Sequence, residues 1–202
     1  MCNERKGDSG RFYAMLFRTK NINRWGLMYN TRHETLADHS YECAVLAHAL
    51  AVIGNVYFGK NYNADRIASQ ALLHDMSEIL TGDLPTPVKY YSEEITKAYK
   101  RIETEAVKTM ILSLDEPMRE YYASLTSPDD EEKKIIKAAD KLTAYIKCRV
   151  ELSRGNPEFA TASEIILKAI DTMECNELKY FMENYFSSFL ASLDENIMSG
   201  RS

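Results

Sequence analysis

The chain has 202 residues, 45% of them hydrophobic and 27% charged, which is the balance of an ordinary globular protein and excludes a disordered one. Its 25 basic and 30 acidic residues give a formal charge of -5 without long single-sign blocks, which argues against adhesion to a nucleic acid polymer but leaves room for a local pocket that takes a small anion. A chain of this length can bury a sizeable core as one unit, so residues 1–202 are expected to form a single domain, with a helical core over about 22–150 and C-terminal helices over about 156–198 packed on it.

The amino-terminal segment Met1 to Asp8 has no apolar stretch of the secretory kind, and no later run is long enough to span a bilayer. The expected location is the cytosol, with no membrane partner. Cys2, Cys43, Cys148 and Cys175 show no CxxC spacing and read as free thiols in a reducing compartment.

Period-2 alternation is absent and apolar residues recur at helical spacing, so the expected fold is an all-α helical bundle. Phe12, Leu16 and Phe17 mark a short first helix ended by Thr19-Lys20-Asn21. Asp38 could cap a second helix that carries Ala44, Val45, Ala47, Leu50 and Ile53 on one side. Asn63 or Asp65 starts a third, where Ile67, Ala71, Leu72 and Ile79 form a stripe that stops at Thr81-Gly82. Asp83-Leu84-Pro85-Thr86-Pro87 cannot continue it, because each proline fixes φ and disfavours helix in the residue before it. Further helices are expected near 93–114, 117–125, 129–154, 158–173 and 176–192, with Gly155-Asn156-Pro157 as a break.

Four histidines occur: His33 in a polar loop, His39 at a helix start, His48 within that helix and His74 late in the next. His33 and His48 read as structural or solvated. His74-Asp75 sits among Leu72, Leu73, Met76 and Ile79, and Asp140 lies on the line of Ile136 and Ala144 at i±4 spacing. An ionised carboxylate on a packed stripe is costly unless a cation or hydrogen-bond donors compensate it. Convergence of His39, His74, Asp75 and Asp140 on one divalent ion would remove both costs, as inward-facing side chains do in other helical bundles. Two nitrogens and two carboxylates suit a first-row transition ion such as Mn, Fe, Co or Zn better than Ca or Mg. A set of core histidines with capped or paired aspartates is the other arrangement, and spacing alone does not separate the two.

The spacing His39, His74-Asp75, Asp140 resembles the H...HD...D signature of HD-domain phosphohydrolases, an all-α superfamily that holds a divalent metal with those four residues. The surrounding text is more specific. Ile22-Asn23-Arg24-Trp25, His39-Ser40, the run from His74 through Tyr90 and the run from Ala139 through Cys148 are together similar to the bacterial 5'-deoxynucleotidases of the YfbR type, over nearly the whole chain. Asp38 departs from the Glu expected there, and the amino terminus is a few residues longer; neither touches a ligand position.

The resemblance implies hydrolysis of deoxyribonucleoside 5'-monophosphates to deoxynucleoside and phosphate, dependence on one divalent transition ion (Co, Mn, Fe, Zn, Ni or Cu) and a homodimer. It places His39, His74, Asp75 and Asp140 on the metal, Arg24 and Trp25 on the substrate with His39 and Asp75, and Asp83, Leu84, Pro85 and Thr86 around the sugar. The side chains fit such chemistry. The guanidinium of Arg24 can give a phosphate two parallel hydrogen bonds, and Trp25 offers a flat face to the nucleoside. Asp83 could accept from the sugar 3'-hydroxyl, and Glu78, four residues after His74, could act as general acid or base beside Arg24 and Asp75. The competing functions are an HD hydrolase of a nucleoside triphosphate, cyclic nucleotide or alarmone, and a non-catalytic nucleotide- or metal-binding regulatory module. Arg24, Lys20, Arg32 and Lys89 are thin for a polyphosphate.

Overall fold

The computed structural model describes residues 10–198; Cys2 and the amino-terminal segment read above lie outside them. Helices dominate, as expected. α1 (Arg11–Leu16) runs into a 3-10 turn over Phe17–Asn21. Two short strands that the sequence did not signal follow, β1 (Asn23–Arg24) and β2 (Glu34–Thr35). They pair antiparallel with Asn23 opposite Thr35 and Arg24 opposite Glu34. Strands of two residues are too short to show any alternation, which is why the pattern did not reveal them.

α2 (Leu36–Tyr57) starts from a capping box: the Thr35 hydroxyl accepts from Asp38 N at 3.2 Å, and Asp38 Oδ2 accepts from Thr35 N at 2.9 Å. Asp38 is therefore the third helical residue and Thr35 the cap, a shift of three from the sequence reading. α3 (Ala64–Leu72) is capped by Asn63, whose Oδ1 accepts from Arg66 N. It ends at Leu72, and residues 73–77 form a tight turn with bonds from Leu73 N to Gln70 O and from Met76 N to Leu73 O. α4 (Glu78–Thr81) then stops at Gly82, whose φ of 74° is the left-handed conformation that glycine adopts at low cost. The continuous helix expected through Ile79 is thus two helices. Pro85 and Pro87 do not bar helix afterwards, because α5 (Thr86–Lys89) places them before and within its first turn, where no amide hydrogen is needed.

α6 (Glu93–Leu112), α7 (Glu116–Leu125) and α8 (Asp130–Ser153) follow the expected spans, and α8 opens with a second capping box between Asp129 and Glu132. A 3-10 turn over Pro157–Phe159 leads into α9 (Ala160–Asp171). α10 (Asn176–Asn184) is shorter than expected and gives way to a 3-10 segment over Phe186–Phe189, then α11 (Leu193–Met198).

One buried cluster joins α2, α3, α8, α9 and α10 through Leu46, Leu50, Ile67, Ile135, Leu142, Ile170, Leu178 and Phe181, each of the larger aliphatic side chains contributing roughly 2 kcal/mol of burial. A second joins α1, the 73–77 turn, α6 and α7 through Phe12, Leu73, Met76, Met110 and Leu125. Val45 and Leu72 were expected on buried faces but are half exposed; each sits at the margin of its stripe, where a turn of 100° per residue carries it past the contact line. Cys43, Cys148 and Cys175 are buried free thiols. Among the described residues no helix is long and apolar enough to cross a membrane.

Candidate metal centre and its surroundings

His39 enters from the second turn of α2, Asp140 from the middle of α8, and His74 with Asp75 from the turn after α3. The break in the helix matters here. Neighbouring residues on a continuous helix point about 100° apart, whereas the tight turn lets two consecutive side chains face one point. His74 Nε2 lies 3.1 Å from Asp75 Oδ2 and 3.9 Å from Asp140 Oδ1. His39 Nε2 lies 3.2 Å from Asp140 Oδ1 and 3.7 Å from Asp75 Oδ2. One ligand atom from each of His39, His74 and Asp140 fits within 4.8 Å of the others, and Asp75 closes the group. All four residues singled out from the sequence are brought together.

The second atoms of these groups are assigned. His74 Nδ1 is 2.6 Å from Ala71 O, and since a carbonyl only accepts, Nδ1 carries the hydrogen and Nε2 turns to the centre with its lone pair. Asp140 Oδ2 takes Lys141 Nζ at 3.3 Å, which leaves Oδ1 for the centre. His39 is fully buried, yet neither of its ring nitrogens has a hydrogen-bond partner, and His74 Nε2 has none either.

The field at the centre is that of a cation-binding site. Burial opposes the charge on Asp140, but His39, Lys141 and His74 hold it well below the usual carboxylate range. Burial alone would depress His74, and it does depress His39; the carboxylates of Asp75 and Asp140 instead push His74 up to about 9. Without an ion the positive charge that these carboxylates favour falls on His74, whose Nε2 lone pair an ion would otherwise take. Orphaned imidazole nitrogens, two carboxylates and no thiolate fit a divalent transition ion.

Arg24 is no solvated loop residue: its side chain is 14% exposed. Its Nε donates to Glu34 Oε1 at 2.9 Å and its Nη1 lies 3.5 Å from Asp75 Oδ2, so one guanidinium edge is spent on the protein. Glu78 is buried with Oε2 unpartnered, and burial, then Asp75 and Asp83, push its carboxyl up to about 8. Lys89, the nearest lysine after it in the chain, bonds Glu103 at 2.7 Å instead. Asp83 is half-buried, and burial raises it against the pull of Arg24. Leu84 and Pro85 are half-buried beside it, while Thr86 is exposed at the start of α5.

Trp25 holds φ at 58°, a left-handed conformation that costs an aromatic residue on the order of 1 kcal/mol. It is kept there by Met28 N and Asn30 Nδ2 donating to its carbonyl, and by its ring meeting the fully buried Phe159 at 5.3 Å. Its indole Nε1 is buried without a partner. His33 is exposed, and His48 is half exposed 3.5 Å from Asp65. Sequence reasoning missed Glu34 and Glu151. Glu151, 1% exposed, accepts from the backbone amides of Thr31 and Arg32, from Lys147 and from Asn156, and so ties the loop after Trp25 to α8. Glu34 lies in no periodic run, whereas Glu151, three residues after Cys148 and seven after Ala144 on the buried side of α8, carried a signal in its spacing.

The chain is 47% identical over 187 residues to 5'-deoxynucleotidase YfbR of Escherichia coli K12 (DH10B), covering 91% of this chain and 94% of the relative. Among solved structures, an HD-domain phosphohydrolase from Listeria innocua superposes with a TM-score of 0.77 at 25% identity, over 91% of this chain and 90% of that one. The HD phosphohydrolase DatZ of cyanophage S-2L, bound to dA and one catalytic Zn2+ ion, gives 0.64 at 19% identity over 87% and 96%, a likeness of fold. A family model described as 5'-deoxynucleotidase YfbR-like matches residues 11–189. The chain therefore belongs to the YfbR-like family of HD-domain phosphohydrolases.

Proposed function

We propose that this protein is a metal-dependent phosphomonoesterase that converts deoxyribonucleoside 5'-monophosphates to deoxynucleoside and phosphate. The carrying observation is the convergence of the His39, His74 and Asp140 ligand atoms beside a guanidinium, and the family supplies the substrate class.

His39, His74, Asp75 and Asp140 would hold the ion, which supplies positive charge against the phosphoryl oxygens and activation of water. Arg24 binds the phosphate. With Nε committed to Glu34, the guanidinium presents its Nη edge. Asp75 orients that edge and also faces both histidines. In the metal-free protein burial, Asp75 and Asp83 push the carboxyl of Glu78 up to about 8; we assign it as the general acid that gives a proton to the departing 5'-oxygen. Asp83 accepts from the sugar 3'-hydroxyl, with Leu84, Pro85 and Thr86 shaping the wall beside it. Trp25 faces the nucleoside and offers its unpartnered indole hydrogen.

We read the chain as one domain that acts in the cytosol as a homodimer, with a free nucleotide as its partner and neither a nucleic acid polymer nor a membrane. The buried free thiols support a reducing compartment, and the half-exposed Val45, Val52 and Val56 on α2 leave apolar surface for a second copy. Metal-stripped protein, resupplied with single divalent ions, is expected to release phosphate from dAMP, with AMP and dATP poorer. No release from dAMP with any ion would remove this reading.

A further inference from the structure

The β1–β2 ladder sets Glu34 opposite Arg24, and the residue after Glu34 is the cap of α2, the helix that delivers His39. The ladder and the cap thus place Glu34 between the two groups. Glu34 is buried, 7% exposed. Oε1 accepts from Arg24 Nε at 2.9 Å, and the same oxygen lies 3.8 Å from His39 Nδ1. On the other side of that ring, His39 Nε2 faces Asp140 and Asp75.

A neutral imidazole that gives one nitrogen's lone pair to a cation carries its hydrogen on the other. For His39 the hydrogen is then on Nδ1, and Glu34 Oε1 is the carboxylate facing it, under an ångström beyond hydrogen-bonding distance. Burying a carboxylate this deeply is costly unless its charge is used, and Arg24 and His39 are the two groups it meets at Oε1.

We propose that Glu34 is a positioning residue for both halves of the centre: it selects the Nε2-facing tautomer of His39 and, through the same oxygen, aims the Arg24 guanidinium. The proposal rests on the metal-dependent reading above and adds a residue to it. Holding the imidazole should matter to the ion itself, since carboxylates behind ligand histidines typically change metal affinity by about 10–100-fold. Holding the guanidinium should matter only to the phosphate.

The experiment titrates Zn2+ into wild-type protein, Glu34→Gln, Arg24→Ala and the double variant against a chromophoric chelator, with melting curves on each, and measures kcat/KM on dAMP. Glu34→Gln is expected to melt close to wild type, to bind Zn2+ at least tenfold more weakly, and to shrink the loss caused by Arg24→Ala, because an unaimed guanidinium has less to lose. Arg24→Ala alone should leave Zn2+ affinity near the wild-type value. Should Glu34→Gln fail to fold, Glu34→Asp takes its place, with the charge one methylene short and the same losses expected. Wild-type Zn2+ affinity in the folded Glu34 variant, or an Arg24→Ala loss of equal size with and without Glu34, overturns the proposal. Wild-type protein that neither binds Zn2+ nor hydrolyses dAMP overturns the underlying reading instead.

Discussion

Arg24 Nη1 lies 3.5 Å from Asp75 Oδ2, so the guanidinium read as the phosphate holder leans on a carboxylate that also faces both imidazoles. Lysine cannot reproduce this. Arg24→Lys loses the Nε bond to Glu34 and the planar fork together. Its kcat/KM on dAMP is expected to fall about 100-fold, comparable to the loss of one transition-state hydrogen-bond donor, with little change in melting temperature. A loss under fivefold would mean that the guanidinium does not bear on the reacting phosphate.

His74→Ala and Asp140→Asn remove one nitrogen and one charged oxygen from the centre. Both variants are expected to come through purification and dialysis without bound metal and to release no phosphate. Metal content by mass spectrometry, measured beside wild type, decides the matter. Stoichiometric metal in either variant would show that the four-residue centre is wrongly drawn.

Glu78→Gln keeps the shape of the side chain and removes its titration. A general acid contributes about 100- to 10,000-fold, and a loss in that range is expected in kcat at saturating metal. The stability effect has the opposite sign. The folded-state value of about 8 lies above the 4.5 of an ordinary glutamate, so metal-stripped wild type loses stability as pH rises from the lower value through the higher. Glu78→Gln escapes that loss and should be the more stable of the two at alkaline pH in urea titrations. Equal midpoints at every pH would refute the account of a buried, proton-holding carboxyl.

Glu151 shows the reverse linkage. Burial opposes its charge, but Lys147, Asn156 and Thr31 hold it far below the 4.5 of an ordinary glutamate. Its contribution is full above that value and lost as pH falls through the folded-state one. Glu151→Ala leaves Lys147 and two loop amides facing a gap and should cost about 3 kcal/mol at neutral pH, a difference that narrows as the medium is acidified below about 4.5. A pH-independent difference would mean that the effect is packing alone.

Gly54 on α2 has no space for a side chain: a Cβ there would stand 2.6 Å from Tyr62 Cε2 and 3.1 Å from Glu177 Oε1. Gly54→Ala is expected to cost about 1–3 kcal/mol through overpacking, read by chemical denaturation. The cluster lies away from the centre, so activity per folded molecule should not change.

The sequence exposed most of the scaffold, because long helices with regular stripes and clear caps, such as α6 and α8, speak through periodicity. It pointed to His74, Asp75 and Asp140 because polar groups on apolar stripes are anomalies that demand a partner, but spacing alone did not separate a metal centre shared with His39 from paired core groups; the resemblance favoured the former. What it hid has physical reasons. The end of α3 was invisible because Leu73, Met76 and Ile79 continue the apolar spacing across the turn, serving the second cluster and its margin instead of the first. Glu34 was invisible because its importance comes from a two-residue ladder, and ladders that short leave no pattern. Glu151 shares the buried side of α8 with Ala144 and Cys148, but its partners become apparent only when a loop more than a hundred positions earlier returns to it.

The interruption between α3 and α4 sets foldability against chemistry on one short segment. Residues 73–77 close with i-to-i−3 bonds, poorer than those of an α-helix, so a design that idealised 64–81 into one rod would be expected to make the isolated segment a better helix. That rod would swing either His74 or Asp75 out of the cluster. Selection for thermal resistance alone should therefore erode this enzyme first at its kink, and a search for hardier variants is best steered to the capping and loop positions elsewhere.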